Sequence, residues 1–89
     1  MAARHPSALK RHRQSVKRET RNRAVRTHMR HEIRKVREAI AKNDAAAAGQ
    51  ELRVAMKVIN KAATKGVVHR NTASRHIARL SKQIAALSA

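Results

Sequence analysis

Eighty-nine residues allow one small domain, and 22 Lys+Arg against five Asp+Glu give a formal charge of +17. That charge far exceeds what solubility requires and points to an anionic partner. The absence of Cys, Phe, Tyr and Trp excludes disulfide frameworks, thiolate zinc sites, thiol nucleophiles and base stacking on Phe, Tyr or Trp rings.

The apolar content is thin. Ala supplies 18 residues, whereas Val, Ile and Leu together number 16, a composition that borders on disorder at this charge. No apolar stretch approaches the roughly 20 residues of a membrane span. Five scattered carboxylates argue against a paired acid/base site, so the chain reads as a binding protein and not an enzyme.

Along the chain, Pro6-Ser7 is the first punctuation, with Ser7 as a candidate cap for a helix running to about Lys42 without an internal Gly or Pro. Val25, Met29, Ile33, Val36 and Ile40 step by 4, 4, 3 and 4 and form a one-faced stripe. Residues 8–24 offer only Leu9 and Val16 as larger apolar side chains, in a field of cations. Asn43-Asp44 marks a boundary, with Asp44 as cap of a second helix. Its stripe is Ala48, Leu52, Ala55, Met56, Ile59, Ala62 and Ala63, and Gly49 weakens its interior. Gly66 is a C-terminal stop. After Val67–Arg70, Asn71 or Thr72 would cap a third helix with stripe Ala73, Ile77, Leu80, Ile84 and Leu87.

The expected fold is therefore all-α, a three-helix bundle whose long N-terminal helix extends beyond it. One domain spans 1–89, divided into a basic extension (1–24) and a bundle (25–89). A first helix of about 36 residues spans roughly 54 Å and overhangs a second of about 20 residues by roughly 24 Å. Charge follows the same division: residues 1–42 carry +11, 43–66 carry +2 and 67–89 carry +4. Like charges at i,i+4, as in Arg13/Lys17/Arg21 and Arg26/Arg30/Arg34, weaken an isolated helix. Residues 8–24 are expected to lack order until phosphates neutralise them.

Other readings fit less well. An organellar transit peptide is Arg-rich and acid-poor, but here the cationic run leads into a stripe that the bundle needs. A membrane-surface helix wants a Trp, Phe or Leu face that residues 8–24 lack. His28 and His31, three apart and flanked by Arg26 and Arg30, do not form a metal-binding pattern. A DNA-binding module would want a recognition helix or a dimer seam, and the sequence shows neither.

The run Lys65-Gly66-Val67-Val68-His69-Arg70-Asn71-Thr72-Ala73-Ser74-Arg75-His76-Ile77-Ala78-Arg79-Leu80 resembles the signature segment of the S-twenty family of bacterial small-subunit ribosomal proteins. The basic opening, Ser7–Ser15 with Lys17-Arg18, Arg21-Asn22-Arg23 and Arg26-Thr27, is similar to that family's N-terminus. The chain departs from the family in having no Phe or Tyr in its bundle and in preferring Arg to Lys.

This resemblance implies a non-enzymatic constituent of the small subunit in the bacterial cytoplasm. It implies direct binding to 16S rRNA during subunit assembly, at the 5′ domain and the long 3′ minor-domain helix, beside other small-subunit components. It implies no cofactor, membrane or small-molecule substrate. The RNA contacts it implies on the first helix are Ser7, Lys10, Arg11, Arg13, Gln14, Ser15, Lys17, Arg18, Arg21, Asn22, Arg23 and Arg26. At the second junction they are Lys65, His69, Arg70, Asn71, Arg75, His76 and Arg79. Asn71, opening a helix, would there add free backbone amides as an anion site.

Overall fold

A computed structural model describes residues 6–88 as three helices: α1, Pro6–Ala41; α2, Ala45–Thr64; and α3, Arg70–Ser88. No strand occurs among the described residues, and the all-α bundle with a long first helix is the fold found. Residues 1–5 of the expected extension, and Ala89, lie outside the described residues. The helices contain 36, 20 and 19 residues. The molecule is a rod of 70 × 21 × 16 Å, because α1 runs on past its partners.

Residues 8–24 continue the first helix without a break, as the absence of any breaker predicts. The reason is local. Nothing in the segment breaks the i→i−4 ladder, and Arg, Lys, Ala, Gln and Glu are good helix formers. Arg23 meets Glu19 at 3.3 Å, and the Thr20 hydroxyl donates to the Val16 carbonyl at 2.9 Å. Tertiary support is missing: every residue from Ser7 to Arg21 is exposed, and Asn22 is the first half-buried one. Because α1 is described from Pro6, Ser7 lies within its first turn and is not its cap. Proline, with a fixed φ and no N–H to leave unpaired, suits that position.

Both turns close by the same device. Asn43, at φ 55, donates to Ile40 O (3.0 Å), and Asp44 donates to Ala39 O (3.1 Å). Gly66, at φ 76, donates to Ala63 O (3.0 Å), and Val67 donates to Ala62 O (3.0 Å). Each is the paired arrangement that satisfies a helix's last carbonyls around one left-handed residue. Asp44 then caps α2, its carboxylate accepting from the Ala47 amide at 3.0 Å. One residue thus ends α1 and starts α2, which forces a tight antiparallel hairpin.

The third helix starts earlier than expected. It begins at Arg70, and its cap is His69, not Asn71 or Thr72. The His69 Nδ1 accepts from the Asn71 amide at 3.0 Å and the His69 carbonyl accepts from Ala73 at 3.1 Å. The imidazole does here what a Ser or Asp side chain does at most helix starts.

The core is the meeting of the three stripes. Met29, Ile33 and Val36 of α1 pack with Ala55, Ile59 and Ala62 of α2 and Ala73 and Leu80 of α3; Val25, Ile40, Leu52, Val58, Val68, Ile77 and Ile84 pack around them. So many alanines bring the helices close and leave little buried volume per residue. Among the described residues, one acidic side chain is buried with them. Glu32 is 5% exposed, its Oε1 lying 3.4 Å from Lys35 Nζ and 3.6 Å from His28 Nε2, while Oε2 has no partner.

Candidate nucleic-acid interface

The first group of expected contacts falls on the unsupported part of α1. Ser7, Lys10, Arg11, Arg13, Gln14, Ser15, Lys17, Arg18 and Arg21 are all exposed, Asn22 and Arg26 are half-buried at the base, and Arg23 is exposed and paired with Glu19. Helical periodicity gathers part of this set. Arg11, Gln14, Ser15, Arg18, Asn22 and Arg26 share one face with Glu19, around a recess of about 570 Å³. The recess presents guanidinium, amide and hydroxyl donors together. Asn22 Oδ1 is buried at its foot without a hydrogen-bond partner.

The second group is divided by the fold. Lys65 lines a 290 Å³ groove with Val25 and His28 of α1 and Lys57, Val58, Lys61 and Ala62 of α2. This places the α2–α3 junction beside the base of the extension. His69 and Arg70 line a different recess with Ala63, Gly66 and Val68. Arg75, His76 and Arg79 lie further along α3. Burial first, then the guanidinium charges of Arg37, Arg79 and Arg75, hold His76 below the ordinary imidazole value of 6.5. His76 is therefore mostly neutral near pH 7, in a cluster with three cations.

Asn71 takes a different part from the expected one. Its amide is engaged by His69, so it is the second residue of α3 and not the cap that opens it. Accepting that amide requires His69 Nδ1 to be unprotonated, and the proton of a neutral ring then sits on Nε2. The exposed His69 thus offers one N–H donor to solvent beside Arg70.

Some cations in these clusters carry no signal in the sequence. Arg37 joins the α3 group from across the bundle, and no spacing within the chain announces that meeting. Lys57 and Lys61 form an i,i+4 pair, but residues 43–66 carry only +2 of the chain's +17, so the charge count points elsewhere.

The described residues form a rod with one bare cationic end and a second cationic cluster at its waist. It has two surfaces for a polyanion. A sequence model of the family described as Ribosomal protein S20 matches residues 3–85. The chain belongs to the ribosomal protein S20 family. It is 52% identical over 85 residues to the small ribosomal subunit protein bS20 of Syntrophobacter fumaroxidans, covering 96% of this chain and 99% of that one. The protein of the same name from Oleidesulfovibrio alaskensis is 50% identical over 82 residues (92% and 94% covered), and that from Desulfovibrio desulfuricans 48% over 87 (98% of each). Membership makes the chain a structural ribosomal protein and not an enzyme. No helix among the described residues is long and apolar enough to cross a membrane. For an S20 family member, the unsupported length of α1 is what the architecture leaves to be explained.

Proposed function

We propose that this protein is a structural constituent of the small ribosomal subunit that binds 16S rRNA directly and stabilises its fold during assembly. The observation that carries the proposal is the extension. Six cations against one acid stand on Ser7–Arg21, all exposed, on a helix with no tertiary support. A polyanion relieves their mutual repulsion and supplies the packing that the bundle does not. The chain acts as one RNA-binding unit, with 1–24 embedded in RNA and 25–89 as the bundle that positions it.

The side chains fit RNA by shape and backbone. No Phe, Tyr or Trp is present to stack on bases, and an A-form major groove admits no helix, so phosphates and 2′-hydroxyls are the main targets. Lys10, Arg11, Arg13, Lys17, Arg18 and Arg21 meet phosphates, with Ser7 beside them, and Arg23 does so once its pair with Glu19 opens. Gln14, Ser15, Asn22 and Arg26 complete the recess, where Asn22 Oδ1 accepts from a 2′-hydroxyl. Lys65, His69, Arg70, Arg75, His76 and Arg79 form the second contact region, with Asn71 holding His69 in place. Two separated regions suit two RNA elements, the 5′ domain and the long 3′ minor-domain helix, held side by side among other small-subunit components.

The test is competition between 16S rRNA fragments and duplex DNA of equal length at fixed salt. The proposal expects the RNA to win by at least tenfold, and equal binding would overturn it.

A further inference from the structure

The proposed RNA contacts include Lys65, at the C-cap of α2, but leave out three cations on α2 that lead up to it, Arg53, Lys57 and Lys61. Arg53, Lys57, Lys61 and Lys65 recur every four residues and so share one stripe of the helix. All four are exposed, and none takes part in an ion pair among the described residues. Successive members rise by about 6 Å and the row spans about 18 Å, a spacing comparable to that of phosphates along a strand. The helix dipole favours cations in its last turn, which accounts for Lys61 and Lys65 and leaves Arg53 and Lys57 unexplained.

The row is not an isolated solvated edge. Lys57, Lys61 and Lys65 form one wall of the groove whose other wall is α1, with Val58 and Ala62 of α2 and Val25 and His28 of α1. Along α1, Lys10, Lys17, Arg21 and His28 follow one another at steps of 7, 4 and 7, which puts them on a single helical stripe. The extension's cations therefore lead into this groove, and the α2 row continues them. The carboxylate beside His28 does not interrupt the track, because Glu32 is buried with Oε1 turned to His28 and Lys35.

We infer that the α1–α2 seam is a further nucleic-acid-binding surface, where Arg53, Lys57, Lys61 and Lys65 follow the phosphodiester backbone of an RNA strand that has already met Lys10, Lys17 and Arg21. This rests on the proposed RNA binding and adds to it a face of the bundle distinct from the α3 cluster. The groove's apolar side, made of Val25, Val58 and Ala62, suits ribose faces and is too small to hold a lipid chain or a partner helix.

The experiment compares wild type, Arg53→Gln/Lys57→Gln/Lys61→Gln, and Lys10→Gln/Arg11→Gln/Arg13→Gln in binding to a 16S rRNA transcript across a salt series, with hydroxyl-radical footprints of each complex. Three lost phosphate contacts lower the salt slope by about 2 to 3 and weaken binding at 0.1 M salt about a hundredfold. The α2 variant is expected to show that loss, together with exposure of nucleotides that the extension variant still protects. Thermal melting should be unchanged or raised, since the substitutions remove like-charge neighbours. A wild-type slope and footprint in the α2 variant, with the extension variant weakened, overturns the inference and leaves the RNA-binding reading intact. Failure of wild type to bind the transcript overturns that reading first.

Discussion

Deleting residues 1–20 separates what the extension does for folding from what it does for binding. Every side chain from Ser7 to Thr20 is exposed, and the bonds they make, such as Thr20 to Val16, stay within α1. The bundle core begins with Val25 and Met29, beyond the cut. Surface changes of this kind stay within about 0.5 kcal/mol, so the bundle's melting midpoint should move by no more than about 2–4 °C. The deletion removes Lys10, Arg11, Arg13, Lys17 and Arg18 from the interface. At 0.7–0.9 per phosphate contact, five contacts are worth about 3.5–4.5 in the slope of log affinity against log salt. Raising salt from about 50 to 200 mM should thus weaken wild type by about two to three powers of ten more than the truncated protein. Melting by circular dichroism and filter binding to a 16S rRNA transcript read the two quantities independently. A midpoint drop of 10 °C or more would show that the extension is part of the folded unit. An unchanged salt slope would show that it is not the phosphate-binding face.

Other expectations test single residues. An added Cβ at Gly49 meets nothing within 4 Å, so Gly49→Ala should stabilise by about 0.5–1 kcal/mol; Gly66→Ala, at φ 76, should destabilise, and a fall in melting temperature for the first would refute the reading of α2 as an ordinary helix there. His69→Ala should cost about 0.5–2 kcal/mol through loss of the cap, while His69→Asn restores an acceptor and most of the stability; equal losses in both variants would exclude capping. His76 is depressed in the folded state, so the unfolded chain takes up its proton first as pH falls. That contribution to stability is present above pH 6.5, declines as pH drops from there toward the folded value, and should vanish in His76→Gln; denaturant melts at pH 5.5 and 7.5 measure it. A phosphate bound beside Arg75 and Arg79 opposes the depression, and complex formation near pH 6 should then take up protons from the buffer.

Much of this protein is readable from the sequence because it is local. The stripe from Val25 to Ile40, the hairpin made by Asn43 and Asp44 and the stop at Gly66 are each set by residues within a few positions of one another, and backbone geometry carries them directly into structure. The length by which α1 outruns α2 follows from counting residues, and the location of the charge follows from the same count. The helix through residues 8–24 is readable in the same way, because no Gly or Pro interrupts it.

The tertiary structure decided whatever depends on how one helix is rotated against another. Arg37 joins Arg75, His76 and Arg79 only because α1 and α3 pack with those faces together. Lys57, Lys61 and Lys65 become the wall of a groove only because His28 and Val25 stand opposite. Glu32, indistinguishable in sequence from a surface acid, is buried by the same packing. Periodicity fixes which residues share a face of one helix, but crossing angle and register fix which faces meet, and those are properties of three helices settling against one another.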